Sequence, residues 1–433
     1  MIRWQSLTVV ACTALVLGAC DWRTFDELSD EAWAHSAGSP SDLNSGEFAN
    51  NLAFSGGGDG VAFVVSGQRP DGVAMIAYDG AGALTSSGES ILAGGGATNP
   101  DTLPARPAMA GDASSTEGAI AIGLAENGFT TGRVLVYRPS GPSLLQSIPV
   151  GAGLVSALAF GATNKAANPT ATDIIATTGD QVNVLGGYEL ESAMRTTASC
   201  GFGRARAFAA AVADLDPSLA ENEIILAIGN DSMSGAASKI LILDGLTVEA
   251  ADADLTDTSC VANGRTAIVE LAAPGDEPDF GAAVVVADFD GSGGLDLAVG
   301  APSSNKVYIY MNIDVTAPAA PTEVSGPSGS GRFGETLAAG DFDNDGNDEL
   351  VVGDPGADVD GASNAGRAYI IPSDGDFGTV FTLGDASPEA DQSFGRGLAV
   401  GSFSGSGTAL AVAARNEVFT YFRTALSNDV RQR

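Results

Sequence analysis

Residues 341–349 read DFDNDGNDE, which sets Asp341, Asp343, Asp345 and Glu349 at positions one, three, five and nine of a tight loop between two apolar runs. The carbonyl of Asn347 is available at position seven, and Gly346 allows the turn. Carboxylates at alternate residues bring like charges within several ångströms, which is costly unless a cation neutralises them. Calcium suits such a loop, because it takes six to eight oxygens at about 2.3–2.6 Å from carboxylates, a backbone carbonyl and water, and tolerates irregular geometry. Residues 288–296 repeat the pattern with Asp288, Asp290, Ser292 and Asp296, and Gly294 offers a backbone oxygen. An EF-hand opens the same way, but it needs a bidentate Glu at position twelve and helices on both sides. Position twelve is Val299 in one loop and Val352 in the other; the acid stands at position nine, at the head of an expected strand. Two structural calcium ions are therefore expected, the alternative being solvated acidic turns. Asp214, Asp216 and Ser218 begin a third such loop that then loses register, and Ser402, Ser404 and Ser406 keep the spacing without charge.

The elements that would hold these loops recur along the chain. Stretches beginning at Phe280, Phe333 and Phe394 each open with Phe-Gly, run through an apolar strand into a glycine-rich loop, and leave by a second apolar strand; a weaker copy begins at Phe202. Three more stretches, from Leu52, Ala108 and Ala157, keep the hydrophobic pattern without Phe-Gly, giving seven units. Each unit holds three short apolar runs and a less regular fourth, enough for one four-stranded sheet. The runs TLAAGDF, ELVVG and RAYII each hold a single charged residue, at or next to an end, and are otherwise apolar, as expected of sheets buried on both faces against neighbouring sheets. Stacking around an axis buries both faces and leaves short edges, so the expected fold is all-β: a seven-bladed β-propeller of four-stranded antiparallel blades.

The Phe-Gly openings, DFDNDGNDE, VGAP at Val299–Pro302 and VGDP at Val352–Pro355 resemble the FG-GAP repeat. The resemblance implies the propeller of integrin alpha-subunit headpieces and of bacterial exported proteins, with calcium loops joining the first two strands of a blade. It also implies that the long connections between second and third strands, such as GDPGADVDGASNAGR from Gly353 and GNDSMSGAASK from Gly229, lie on the opposite face.

The N-terminus has the layout of an export signal: Arg3, an apolar stretch from Leu7 to Leu17, then Leu17-Gly18-Ala19-Cys20. Those four residues resemble a bacterial lipobox, which implies acylation of Cys20; the alternative is an ordinary cleaved signal with an incidental cysteine. The expected organisation is a signal over 1–19, a polar tether over 20–45, the propeller over 46–425 and a tail over 426–433. In an exported protein Cys200 and Cys260 are free to pair, a loop closure that would add about 4 kcal/mol on the chain-entropy model; two buried free thiols are the alternative.

The net charge of -34 excludes nucleic acid as partner, since phosphate binding needs clustered Lys and Arg. The single histidine, His35, falls in the expected tether, and neither zinc spacing nor a phosphate loop nor a nucleophile elbow occurs. The function that follows is a non-enzymatic, lipid-anchored cell-envelope module for binding, adhesion or scaffolding of a protein or glycan. The alternative is a carboxylate-based polysaccharide hydrolase or lyase, since acids alone suffice for that chemistry.

Overall fold

In the computed structural model the described residues are 35–38, 52–55, 62–69, 72–78, 90–92, 108–112, 118–126, 131–138, 143–163, 173–179, 181–186, 195–201, 206–218, 222–229, 238–244, 268–277, 279–343, 345–373, 377, 380–385, 387–403 and 407–422. The expected signal, Cys20, Cys260, the tail and the connection 230–237 lie outside them; Cys200 stands in the strand Arg195–Gly201, opposite Val182. Among the described residues no helix is long and apolar enough to cross a membrane.

The described strands form seven four-stranded antiparallel sheets, here blades 1 to 7 in chain order. Blade 5 holds the strands Val284–Ala287, Asp296–Ala301, Lys306–Tyr310 and Thr322–Ser325. Blade 6 holds Thr336–Gly340, Glu349–Asp354, Arg367–Ile371 and Phe381–Leu383. The first strand of each blade packs against the first strand of the next, and Gly397–Phe403 of blade 7 packs against Leu52–Ser55 of blade 1, so the order closes on itself as a propeller requires.

Closure corrects one expectation. The tether expected over 20–45 contributes a strand, His35–Gly38, which pairs antiparallel with Glu417–Phe422 as the outermost strand of blade 7. The physical reason is the ladder of unpaired amides and carbonyls that Glu417–Phe422 would otherwise present at the blade's rim. Hydrophobic pattern could not reveal it, because HSAG carries no apolar alternation.

The core lies between blades rather than within them. In the second strand of blade 4, Ile224, Leu226 and Ile228 face Ile175 and Val184 of blade 3, while Ile225 and Ala227 face Phe280 and Tyr308 of blade 5. One strand thus serves two interfaces by simple alternation, which explains why the middles of the runs carry no charge. Each such Ile or Leu stabilises the fold by about 1.5–3 kcal/mol.

The Phe-Gly openings lock successive blades. Phe280, Phe333 and Phe394 are fully buried and meet Tyr308, Tyr369 and Phe419, with ring centroids 5.8, 5.6 and 5.2 Å apart. Gly334 has φ +91, and a Cβ there would lie 2.7 Å from the carbonyl oxygen of Lys306 in blade 5. Gly395 has φ +88, and its Cβ would lie 2.3 Å from that of Arg367 in blade 6. The glycines of VGAP and VGDP are the other half of these contacts: a Cβ on Gly300 would meet Gly334 O at 2.0 Å, and one on Gly353 would meet Gly395 O at 2.2 Å.

Candidate metal centre

Both acidic loops sit between the first and second strands of their blades, at one end of the ring. In blade 5, Asp288, Asp290 and Asp296 each offer a carboxylate oxygen, and the three lie within 4.8 Å of one another. The loop is folded around its own acids. Ser292 N–H donates to Asp290 Oδ1 at 2.9 Å and to Asp288 Oδ1 at 3.2 Å, and Gly293 N–H donates to Asp288 Oδ2 at 2.8 Å. Ser292 Oγ donates to Asn312 Oδ1 at 2.7 Å, so the expected serine ligand is turned toward Asn312. Asn312 Nδ2 in turn donates to Asp290 Oδ2 at 3.3 Å. Burial raises the Asp290 carboxyl, but the hydrogen bonds from Ser292 and Asn312 outweigh it and hold the group below the usual range.

In blade 6, Asp341, Asp343 and Asp345 converge within the same 4.8 Å limit. Gly346 N–H donates to Asp341 Oδ2 at 3.3 Å, Asp345 N–H to Asp343 Oδ1 at 3.0 Å, and Asn347 N–H to Asp345 Oδ1 at 2.8 Å. The backbone amides thereby pull successive carboxylates inward.

The acid at position nine has a task of its own. Asp296 is buried at the head of its strand; its Oδ2 accepts Phe289 N–H at 2.7 Å and its Oδ1 accepts Asn312 N–H at 2.6 Å. Glu349 is the equivalent in blade 6, with Oε2 accepting Phe342 N–H at 2.7 Å and Oε1 accepting Ser373 Oγ at 3.1 Å. Glu349 stands outside the convergent trio, whereas Asp296 belongs to its own. Burial, with the charges of Asp343 and Asp341, pushes the Glu349 carboxyl up to about 7 against the hydrogen bonds from Phe342 and Ser373. Asp296 is likewise raised by burial and by the Asp290 and Asp288 charges, against bonds from Asn312 and Phe289.

Two more blades repeat this cap, and among the described residues neither capping acid joins a convergent trio. Glu223 Oε2 accepts Leu215 N–H at 2.7 Å in blade 4, and Asp173 Oδ2 accepts Thr163 Oγ1 at 2.6 Å and Thr163 N–H at 3.1 Å in blade 3. Sequence reading missed Asp173, Glu223, Asn312 and Ser373. The signal was present as an acid opening the second strand, and as a polar residue two places past the end of the third. In the blade 4 loop, Ser218 N–H and Oγ both donate to Asp216 Oδ1, at 2.9 and 2.6 Å, and among the described residues Asp214 and Asp216 join no convergent acidic trio. Ser404 and Ser406 lie outside the described residues.

The donor set fits calcium. Oxygens about 2.4 Å from a common ion lie at most about 4.8 Å apart; the three in each loop fall within that limit, and the ligand atoms are hard oxygens. Each pair of like charges at that spacing repels by about 1 to 4 kcal/mol as the surroundings range from water to near-surface protein. A divalent cation removes that repulsion. Asp288, Asp290, Asp296, Asp341, Asp343 and Asp345 would hold it, with the carbonyls of Gly294 and Asn347 as further candidates.

On the opposite face, the connection from Pro355 to Gly366 in blade 6 is tied to its neighbours. Asp358 N–H donates to Gly329 O at 3.3 Å, Asp391 N–H to Ser363 O at 2.8 Å, and Phe394 N–H to Ala365 O at 2.8 Å. Asp358, Asp360, Ser363 and Asn364 remain exposed on this braced loop.

Comparison with known proteins places the family over these blades. Residues 264–352, which include both acidic loops, match a family model described as FG-GAP-like repeat. The chain is 42% identical to integrin alpha-4 of Xenopus laevis over 93 residues, 19% of this chain and 9% of that protein. It is 31% identical to integrin alpha-PS2 of Drosophila melanogaster over 106 residues, 24% of this chain and 8% of that protein. The matched stretches thus span less than a tenth of either relative's length. Over residues 264–352, which carry both acidic loops, the chain is similar to the FG-GAP-like repeat, and in part it is similar to integrin alpha chains.

Proposed function

We propose that this chain is a calcium-stabilised propeller, exported and held in the cell envelope by a lipid on Cys20, that binds or scaffolds a protein or glycan and carries out no chemistry. The observation that carries the metal reading is the convergence of three carboxylate oxygens within 4.8 Å in each of two adjacent loops. The likeness to integrin alpha chains supports a binding or adhesion module. The braced, exposed loop from Pro355 to Gly366 supports a recognition surface on the other face, since a loop already held in place loses little entropy on binding. The Leu17-Gly18-Ala19-Cys20 run supports the anchor.

A cavity of about 340 Å³ opens where the first strands of all the blades begin, with Met109, Phe208, Glu335 and Arg396 among its lining. Among the described lining residues the acid is Glu335, which is paired with Arg332.

Scanning calorimetry of the mature chain in millimolar calcium and in chelator tests the metal reading. Calcium at a hundred times its dissociation constant adds about 2.7 kcal/mol per site, so the melting temperature should rise clearly with calcium. Identical melts under both conditions would reject it.

A further inference from the structure

The two acidic loops touch. Asp348 N–H of blade 6 donates to the carbonyl oxygen of Asp288 in blade 5 at 3.1 Å. Beside this bond Gly291, at φ +67, leaves room for Asn347: a Cβ on Gly291 would lie 2.7 Å from Asn347 Oδ1. The peptide unit between Asn347 and Asp348 is trans, like the others among the described residues. Its N–H and C=O therefore point in opposite directions from one rigid plane. The N–H reaches position one of the blade 5 loop, and the C=O, directed away from Asp288, is the position-seven oxygen of the blade 6 loop.

We propose that the Asn347–Asp348 peptide couples the two cation sites, so that filling either one raises the affinity of the other. This rests on the calcium reading above and adds how the sites behave together. An ion drawing on the Asn347 carbonyl fixes the plane and polarises it, which strengthens the N–H as a donor to Asp288. An ion in the blade 5 loop fixes Asp288, which holds the same plane from the other side. Each ion thus orders part of its neighbour's site beforehand, and the second binds a loop with less freedom left to lose.

Through-space charge works in the other direction. With its ion, the Asp288, Asp290 and Asp296 loop has a formal charge of about -1, whereas the same loop emptied by D290N has about -2 and would attract a cation to blade 6 more strongly. Positive coupling therefore identifies the structural route.

Calcium titration calorimetry on the mature chain, on D290N and on D345N is the test, with circular dichroism to verify the fold of each variant. The wild type should take up two ions. In D290N the surviving blade 6 site, and in D345N the surviving blade 5 site, should each bind at least about fivefold more weakly than in the wild type, and by the same factor, because coupling is reciprocal. Surviving sites of unchanged or higher affinity overturn the coupling and leave the calcium reading standing. A wild-type chain that takes up no calcium overturns the calcium reading itself, and the coupling with it.

Discussion

Glu349 Oε2 receives the backbone N–H of Phe342 at 2.7 Å, joining the head of the second strand of blade 6 to the second residue of its acidic loop. The bond holds the loop closed with or without an ion. E349A leaves that N–H buried and unmatched and should cost about 1–3 kcal/mol. E349Q keeps an acceptor and should cost less than half as much. Urea denaturation in chelator separates this role from ligation: the E349A loss persists there if Glu349 is a cap, and a variant as stable as the wild type in chelator would assign the residue to the ion alone.

Asp173 makes the same bond in blade 3, where among the described residues it joins no acidic trio. Burial raises its carboxyl above the usual value, outweighing the hydrogen bonds from Thr163. A carboxyl whose folded value is raised favours the fold while protonated. That contribution is full below the unfolded value of about 3.9 and is lost as pH rises through the folded value. D173N, permanently neutral and still able to accept from Thr163, should therefore melt higher than the wild type at pH 7. The gap should close as pH is lowered toward 4. Thermal melts across that range check it, and a constant gap would show that charge is not the cause.

The blade-to-blade glycines yield a contrast. Gly395 and Gly361 have nearly the same φ, +88 and +89, but a Cβ on Gly395 meets Arg367 O at 2.3 Å while one on Gly361 meets nothing within 4 Å. G361A should cost only the backbone term, about 1–2 kcal/mol. G395A adds overpacking against a neighbouring backbone, about 1–3 kcal/mol more. Chemical denaturation should rank G395A well below G361A; equal losses would mean that the FG glycine is selected for its dihedral and not for blade contact.

Much of this architecture is legible in the sequence, and the unreadable part has a physical cause. The strands of blades 5 and 6 announce themselves because runs such as Asp296–Ala301 and Glu349–Asp354 are buried on both faces, leaving charge to the loops and to the strand ends. Alternate aspartates identify the loops, since that spacing is self-repelling. The double duty of position nine is not visible, because an acid that binds an ion and one that binds an amide look alike in one letter. Nor is the Asn347–Asp348 link to Asp288, which depends on two loops about fifty residues apart being set side by side by the ring. His35–Gly38 is hidden for a related reason: its partner strand lies at the other end of the chain, and its own residues carry no pattern.

That strand supports the last prediction. His35, Ser36, Ala37 and Gly38 pair with Thr420, Phe419, Val418 and Glu417, so blade 7 is completed from both chain ends. The other three strands of blade 7 are contiguous in sequence and could fray together once this pairing is lost. A chain beginning at residue 46 lacks the strand and leaves Glu417–Phe422 as a bare edge that alternates Val418 and Thr420 with Phe419 and Tyr421. Such edges pair with other chains. The truncated protein should lose amide protection first in Gly397–Phe403, Gly407–Ala414 and Glu417–Phe422, while blades 5 and 6 stay protected, and it should form concentration-dependent oligomers on size exclusion. Uniform protection and a monomeric profile after truncation would show that the closing strand contributes nothing to holding the ring.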